Sequence, residues 1–215
     1  MLVRILNAIA NHMPDLGYVQ GMNFIVSSLL LILCNEEDAF FIMIQLLQKY
    51  KLKDMYMNNF NQLKLLCFQL DSFVHAYLPE LFEILESQNI DSEYFATRWF
   101  LTLFTYDLSI EIISTVIDLF MVEGFKCLIK LSLAVLKQAY LMFQEGVFTI
   151  QSFQSSNEGF IDIIKRFSDE LKVESHVLLT LAQGFKVTSK LMSDMERLYI
   201  KENKPSRRNR ARKDR

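Results

Sequence analysis

The residues best suited to do chemistry lie in one short run, Leu16-Gly17-Tyr18-Val19-Gln20-Gly21-Met22-Asn23-Phe24, between two apolar segments. Gln20 offers both a hydrogen-bond donor and an acceptor, and the glycines around it let backbone or a partner approach closely. These nine residues alone admit two readings. One is a helix start whose buried amide satisfies local backbone groups; the other is a polar group presented to something outside the chain. Other reactive constellations are missing. His12, His75 and His176 stand apart with no His-Glu-x-x-His pairing, so no metal site is expected. No Gly-x-x-x-x-Gly-Lys-Ser/Thr, Gly-x-Gly-x-x-Gly or Gly-x-Ser-x-Gly occurs, which removes nucleotide cradles and nucleophile elbows, and no cofactor is expected. Asp and Glu fall mostly at the starts of expected helices and on polar faces, where capping and solvation are their ordinary roles. Cys34, Cys67 and Cys127 are odd in number, lack a Cys-x-x-Cys spacing and sit among apolar neighbours. Buried, reduced thiols of an intracellular protein are the expectation.

The elements that must hold Gln20 are helices. With 215 residues, 51% hydrophobic and 13% aromatic, and a mean hydropathy of +0.17, the chain can bury a sizeable core and cannot be largely disordered. Six Gly and three Pro leave little for the turns of a barrel or sandwich. Apolar residues recur throughout at three- and four-residue spacing, so an all-α fold, a single globular array of helices, is expected. Leu2, Ile5, Leu6, Ile9 and Met13 predict a first helix packed on the core rather than a cleavable presequence. Asn35 followed by Glu36, Glu37 and Asp38 predicts a capped helix running to about Tyr50, apolar nearly all round and therefore interior. Phe60, Leu63, Cys67, Leu70, Val74 and Tyr77 mark a buried face, and Pro79 opens the next helix. Asp91 or Ser92 is expected to cap a helix bearing Trp99 and Phe100, and Ser109 another ending near Gly124. Helices over Phe125 to Phe143, 149–168 and 174–201 complete the set. The longest apolar run, Phe24 to Cys34, is broken by Ser27 and Ser28 and falls well short of the ~20 residues of a membrane span, so no transmembrane segment is expected.

Charge divides the chain unevenly. Residues 204–215 hold seven Lys or Arg against one Asp, a net +6, whereas 1–203 hold 16 basic and 24 acidic residues, a net −8. The expected organisation is a helical domain over 1–203 and a basic disordered tail over 204–215. Two readings of the tail stand: a solubilising end, or a salt-dependent contact with anionic lipid, RNA or an acidic partner. No aromatic residue interleaves it, so base stacking is not supported.

Tyr18-Val19-Gln20-Gly21-Met22-Asn23 resembles the Tyr-x-Gln-Gly-x-Asn signature of the TBC domain, the module of Rab GTPase-activating proteins. Further segments match that family in order: Glu36-Glu37-Asp38-Ala39-Phe40, Trp99-Phe100-Leu101-Thr102-Leu103-Phe104, Asp118-Leu119-Phe120, Glu123-Gly124-Phe125-Lys126-Cys127-Leu128, and the helix Leu131 to Leu136. The likeness runs from about Leu2 to about Tyr199. It implies an all-α fold and a Rab-type small GTPase in its GTP form as partner. It also implies a part in vesicle trafficking and an intracellular location, cytoplasmic or peripheral to membranes. On the family's pattern Gln20 is the catalytic glutamine that orients the attacking water. Gly21 permits approach to the nucleotide, Asn23 fixes the local backbone, and Tyr18 contacts the GTPase or positions the loop.

The family also supplies an arginine from an Ile-x-x-Asp-x-x-Arg motif, and this sequence contains none. Arg4 matches the helix after that motif, while Arg98 and Arg166 read as surface or helix-end residues. Ile117 stands where the family usually places tryptophan and reads as a core substitution. The domain is thus expected to be truncated on its N-terminal side. Because an arginine finger is worth roughly 10³–10⁵ in rate, little activation is expected from these residues alone. Three functions stay open: a Rab activator whose arginine lies upstream, a GTPase binder without turnover, and a scaffold subunit of a larger assembly that retains the fold.

Overall fold

The computed structural model describes residues 1–145 and 175–203. The expected helix at 149–168, Arg166 and the basic tail 204–215 lie outside the described residues. Among the described residues every regular element is helical. They are α1 (Leu2–His12), α2 (Met22–Leu33), α3 (Glu36–Gln48), the single turn α4 (Lys53–Tyr56), a 3₁₀ turn (Asn58–Phe60), α5 (Asn61–Tyr77), α6 (Pro79–Ser87), α7 (Ser92–Thr102), α8 (Ile110–Glu123), α9 (Phe125–Gln144), α10 (Ser175–Gly184) and α11 (Ser189–Glu202).

Helix α5 is the centre of the array, touching α4, α6, α7, α9 and α11. Helices α1, α2 and α3 pack on one another, and α2 joins them to α7 and α8. Ile5, Ile9 and Met13 bury the inner side of α1, as their spacing predicts. The largest fully buried side chains include Trp99, Phe100, Phe104, Phe73 and Phe120. Trp99 stacks on Phe104 at 5.4 Å between centroids and meets the edge of Phe95 at 5.3 Å. Helix α9 is long and apolar enough to cross a membrane, which the apolar-run count missed because Lys126, Lys130 and Lys137 interrupt it. Here it is a core helix, with Leu128, Ile129, Leu133, Ala134, Leu136 and Ala139 all buried.

Several local expectations are corrected. Helix α3 is not interior all round: Ala39, Met43, Leu46 and Leu47 are buried, but Phe41 is exposed, because α1, α2 and α4 cover only one side. Phe60 does not start the buried face of α5. It caps that helix in a left-handed conformation (φ 59°) after Asn58 and Asn59 in the same region, and its ring is partly exposed. Tyr77 is partly exposed as well, its hydroxyl donating to the Lys186 carbonyl at 3.0 Å. Cys67 and Cys127 are buried, and burial raises both thiol pKa values, whereas Cys34 is exposed at the left-handed C-terminus of α2. The helix expected over 174–201 is two. Phe185 and Val187 turn inward between α10 and α11, and the Thr188 hydroxyl accepts from the Leu191 N–H at 3.2 Å to start α11.

The helix starts at Asn35, Pro79, Asp91 and Ser109 fall where the sequence puts them, but the cap hydrogen bonds differ. Asn35 caps α3, its side-chain oxygen accepting from Glu37 N–H at 2.9 Å and Asp38 N–H at 3.2 Å. Asp91 and Ser109 occupy the cap positions of α7 and α8 without making side-chain cap bonds. The cap of α7 comes from another helix. Asp71 of α5 accepts from Ser92 N–H at 3.0 Å and Ser92 hydroxyl at 2.5 Å. Burial raises the Asp71 carboxyl to about 6, the bonds from Ser92 pull the other way, and nearby Asp91 and Glu93 raise it further.

A carboxyl whose folded pKa lies above its ordinary value of 3.8 stabilises the fold below that value, and the contribution is lost as pH rises through about 6. Asp71→Asn keeps an acceptor for Ser92 and removes the titration. It is expected to stabilise the chain by about 1–3 kcal/mol near pH 8 and by nothing near pH 3. Urea unfolding at the two pH values checks this, and equal effects at both would refute it.

Candidate functional site

The segment between α1 and α2 begins with a turn in which Gly17 N–H donates to the Met13 carbonyl at 2.9 Å. Gly17 is left-handed (φ 65°). Asp15 is held there by Lys53 of α4, Nζ to Oδ2 at 2.5 Å, and that ion pair lowers the Asp15 pKa. The Tyr18 hydroxyl then donates to Asn23 Oδ1 at 3.2 Å, closing the segment across its own bend. Val19 and Gly21 carbonyls accept from Met22 and Phe24 N–H groups at 3.2 and 3.1 Å, which starts α2.

Gln20 sits at the crest of this bend and is exposed. Among the described residues no hydrogen bond engages its amide. The reading as a buried amide serving local backbone is therefore set aside: the side chain faces outward, ready for a donor or acceptor from elsewhere. Gly21 behind it is buried, with φ 108°, and a Cβ there would lie 3.3 Å from the Leu101 carbonyl oxygen and 3.5 Å from Thr102 Cγ2. Glycine is required on both counts, the backbone angle and the closeness of α7. Of the four residues proposed from sequence, Tyr18, Gln20 and Gly21 fall in this bend and Asn23 in the first turn of α2 beside it, with Gly21 packed against α7.

Gln20 and Gly21 line one side of a cleft of about 690 Å³. Phe24 of α2, Phe60, and Tyr94, Arg98 and Tyr106 from α7 and the segment after it line the rest. Phe24 meets Tyr106 edge to face at 4.8 Å, and the Arg98 guanidinium lies 4.7 Å over the Tyr106 ring. Arg98 is a surface residue within α7, as one of its two sequence readings has it, but its guanidinium is engaged. It forks onto Asp107, Nε to Oδ2 at 3.3 Å and Nη2 to Oδ1, and the Asp107 side chain is almost wholly buried. Arg4 lies elsewhere, on α1, where Glu36 takes its guanidinium at 3.0 and 2.6 Å.

Sequence reasoning missed Tyr94, Arg98, Tyr106 and Asp107 as site residues. A signal was present in the aromatic spacing, but the pairing of Arg98 with Asp107 needs the chain to double back at Leu103 and Phe104, both left-handed. Those two residues end α7, with Phe104 N–H reaching the Trp99 carbonyl at 2.8 Å and Leu103 N–H the Phe100 carbonyl at 3.3 Å. Ile117 is buried in α8, as a core substitution should be. Among the described residues no group of His, Cys, Asp and Glu is arranged to hold a metal ion.

Chemically, the cleft offers an outward amide on a fixed backbone beside aromatic rings that remain partly exposed: Tyr18, Phe60, Tyr94 and Tyr106. Aromatic side chains next to an arginine are what protein interfaces concentrate at their centres. The arrangement suits contact with a protein partner.

The Rab-GTPase-TBC domain family model matches residues 1–142. The chain is 30% identical over 201 residues to the Rab GTPase-activating protein eat-17 of Caenorhabditis elegans, covering 93% of this chain and 22% of that protein. It is 33% identical over 129 residues to the GTPase-activating protein GYP5 of Saccharomyces cerevisiae, covering 60% and 14% respectively. The crystal structure of the Chlamydomonas flagellar RabGAP TBC domain aligns with a TM-score of 0.69 at 25% identity, over 86% of this chain and 58% of that one. The chain spans about a fifth of the length of the curated relatives it matches.

Gly21→Ala puts a Cβ at φ 108° against the Leu101 carbonyl and is expected to destabilise the chain by about 1–3 kcal/mol. Gly17→Ala, with nothing within 4 Å of the new carbon, is expected to cost about 1 kcal/mol. Thermal unfolding of the two variants compares them; equal losses would show that the approach to α7 carries no weight.

Proposed function

The chain belongs to the Rab-GTPase-TBC domain family, and on that premise we propose that it binds a Rab-type GTPase in its GTP form across the cleft and presents Gln20 to the attacking water. Phosphoryl transfer leaves a protein little covalent work, so acceleration comes from positioning and from charge stabilisation. A glutamine amide suits the first task, since its oxygen accepts from water while its nitrogen donates to a phosphoryl oxygen. The observation that carries this reading is the exposed Gln20 amide, unengaged among the described residues, on a backbone pinned by Gly21. Tyr18 and Asn23 hold the bend through their mutual hydrogen bond, and Tyr94, Tyr106 and Phe60 form the apolar contact with the partner.

Within residues 1–145 the two arginines, Arg4 and Arg98, are both engaged, which leaves neither spare for charge stabilisation. Arg4 is tied to Glu36, and Arg98 is forked onto a buried carboxylate that would be left uncompensated if the guanidinium swung away. Full acceleration then needs an arginine from outside residues 1–145. The same two ion pairs favour a second reading, in which the domain binds a GTPase, or is built into a larger assembly, without itself promoting turnover. A Rab partner places the protein on the cytoplasmic side of membranes, and the basic residues 204–215 give it a means of weak contact with anionic lipid there.

Single-turnover GTP hydrolysis across a set of Rab proteins, with the full-length protein, tests the proposal. Gln20→Ala is expected to lower the stimulated rate by about 10²-fold or more while leaving affinity for the GTP-bound partner within about threefold. Unchanged hydrolysis after the substitution would remove the glutamine role. Binding that ignores the difference between GTP and GDP would remove the nucleotide-state claim.

A further inference from the structure

Helix α4 is a single turn, yet its contacts converge on the bend that carries Gln20. Its inner side is anchored in the core, with Leu52 and Met55 fully buried and Tyr56 nearly so. From this anchored turn Lys53 reaches back 38 residues to Asp15, at the entry to the bend. Tyr56 reaches forward 45 residues, its hydroxyl donating to the Leu101 carbonyl at 2.8 Å. That carbonyl is the atom against which Gly21 lies, at the exit of the bend, 3.3 Å from where a Cβ would stand. Because Leu101 belongs to the last turn of α7, where carbonyls outrun their intrahelical donors, a side-chain donor fixes its direction. Burial raises the Tyr56 hydroxyl pKa, so it stays a donor at any pH the protein meets.

The backbone around α4 is unusual as well. Lys51 precedes it in a left-handed conformation (φ 62°), and Asn58, Asn59 and Phe60 follow it at φ 54°, 56° and 59°. Left-handed backbone at Lys and Phe persists only where the surroundings hold it, and such strain gathers at functional sites. The run ends by placing Phe60 in the wall of the cleft. The short element α4 thus touches the entry of the bend and the surface its exit rests on, and the 3₁₀ turn that follows it reaches the cleft that the bend faces.

We propose that α4 is the bracket that sets Gln20 against the partner's active site, with Tyr56 and Lys53 as positioning residues acting through Leu101–Gly21 and through Asp15. The assignment rests on the catalytic reading of Gln20, and it adds residues outside the signature run.

A double-mutant cycle in the full-length protein tests it. Tyr56→Phe is expected to lower kcat for stimulated GTP hydrolysis about 3–10-fold with KM changed less than twofold, and to have no further effect in a Gln20→Ala background. Hydrogen exchange of the bonded amides within 13–21, those of Met13, Leu16, Gly17 and Val19, is expected to quicken about tenfold in Tyr56→Phe while α9 stays protected. Asp15→Asn, a change at an exposed ion pair, is expected to quicken exchange at 13–21 without lowering Tm. Equal losses of kcat in both backgrounds, or exchange at 13–21 unchanged in both variants, would overturn the bracket. Should Tyr56→Phe fail to fold, Asp15→Asn alone decides by the same exchange measurement. Stimulation by the parent protein that survives Gln20→Ala would defeat the catalytic reading of Gln20, whereas the exchange results would still decide whether α4 holds the bend.

Discussion

The reversal at the end of α7 is the constraint on which the rest of the cleft depends. Leu103 and Phe104 both adopt left-handed backbone, at a cost of about 1–2 kcal/mol each for residues with a Cβ. Both are fully buried, and Phe104 stacks on Trp99, so apolar burial offsets the strain. Three consequences follow from one turn. Asp107 comes back beneath Arg98, Tyr106 comes to lie under the guanidinium and against Phe24, and the Leu101 carbonyl is left facing Gly21 and Tyr56. The α2 start, the α4 turn and the cleft wall all meet on this corner.

The corner also fixes Arg98, the arginine in the wall of the cleft. A buried carboxylate such as Asp107 is stable as an ion only while its partner stays close, so Arg98 is committed to holding the wall. Gln20 has no such obligation. Its neighbours Gly17, Gly21, Tyr18 and Asn23 take up the backbone and hydrogen-bonding demands of the bend, which leaves the amide available. Division of labour of this kind, rigid surroundings around one unengaged polar group, is what the proposed positioning role of Gln20 requires.

Legibility differed by the range of the interaction involved. Asn35 was readable as a cap because its acceptor and the N–H groups it serves lie within three residues. Pro79 was readable as a helix start for the same reason. The cap of α7 was not, since Asp71 acts across 21 residues from another helix. One helix over 174–201 is what the apolar spacing through Phe185 and Val187 suggests, whereas the Thr188 cap that starts α11 divides it. Phe60 and Phe41 misled because apolar character says that a side chain prefers burial, not that enough neighbours exist to cover it.

By itself the sequence determined the helical class, most helix positions, the inward side of α1 and much of that of α5, and it singled out Gln20 between its glycines as a candidate. Each of these is written in spacing of a few residues, because helix geometry repeats every 3.6 residues and caps act within one turn. Tertiary structure alone decided that Gln20 faces outward, that Arg98 is spent on Asp107, and that Lys53 and Tyr56 bear on the bend. Those outcomes depend on groups 9, 38 and 45 residues apart meeting in space, and no local pattern encodes a meeting that only the packed core brings about.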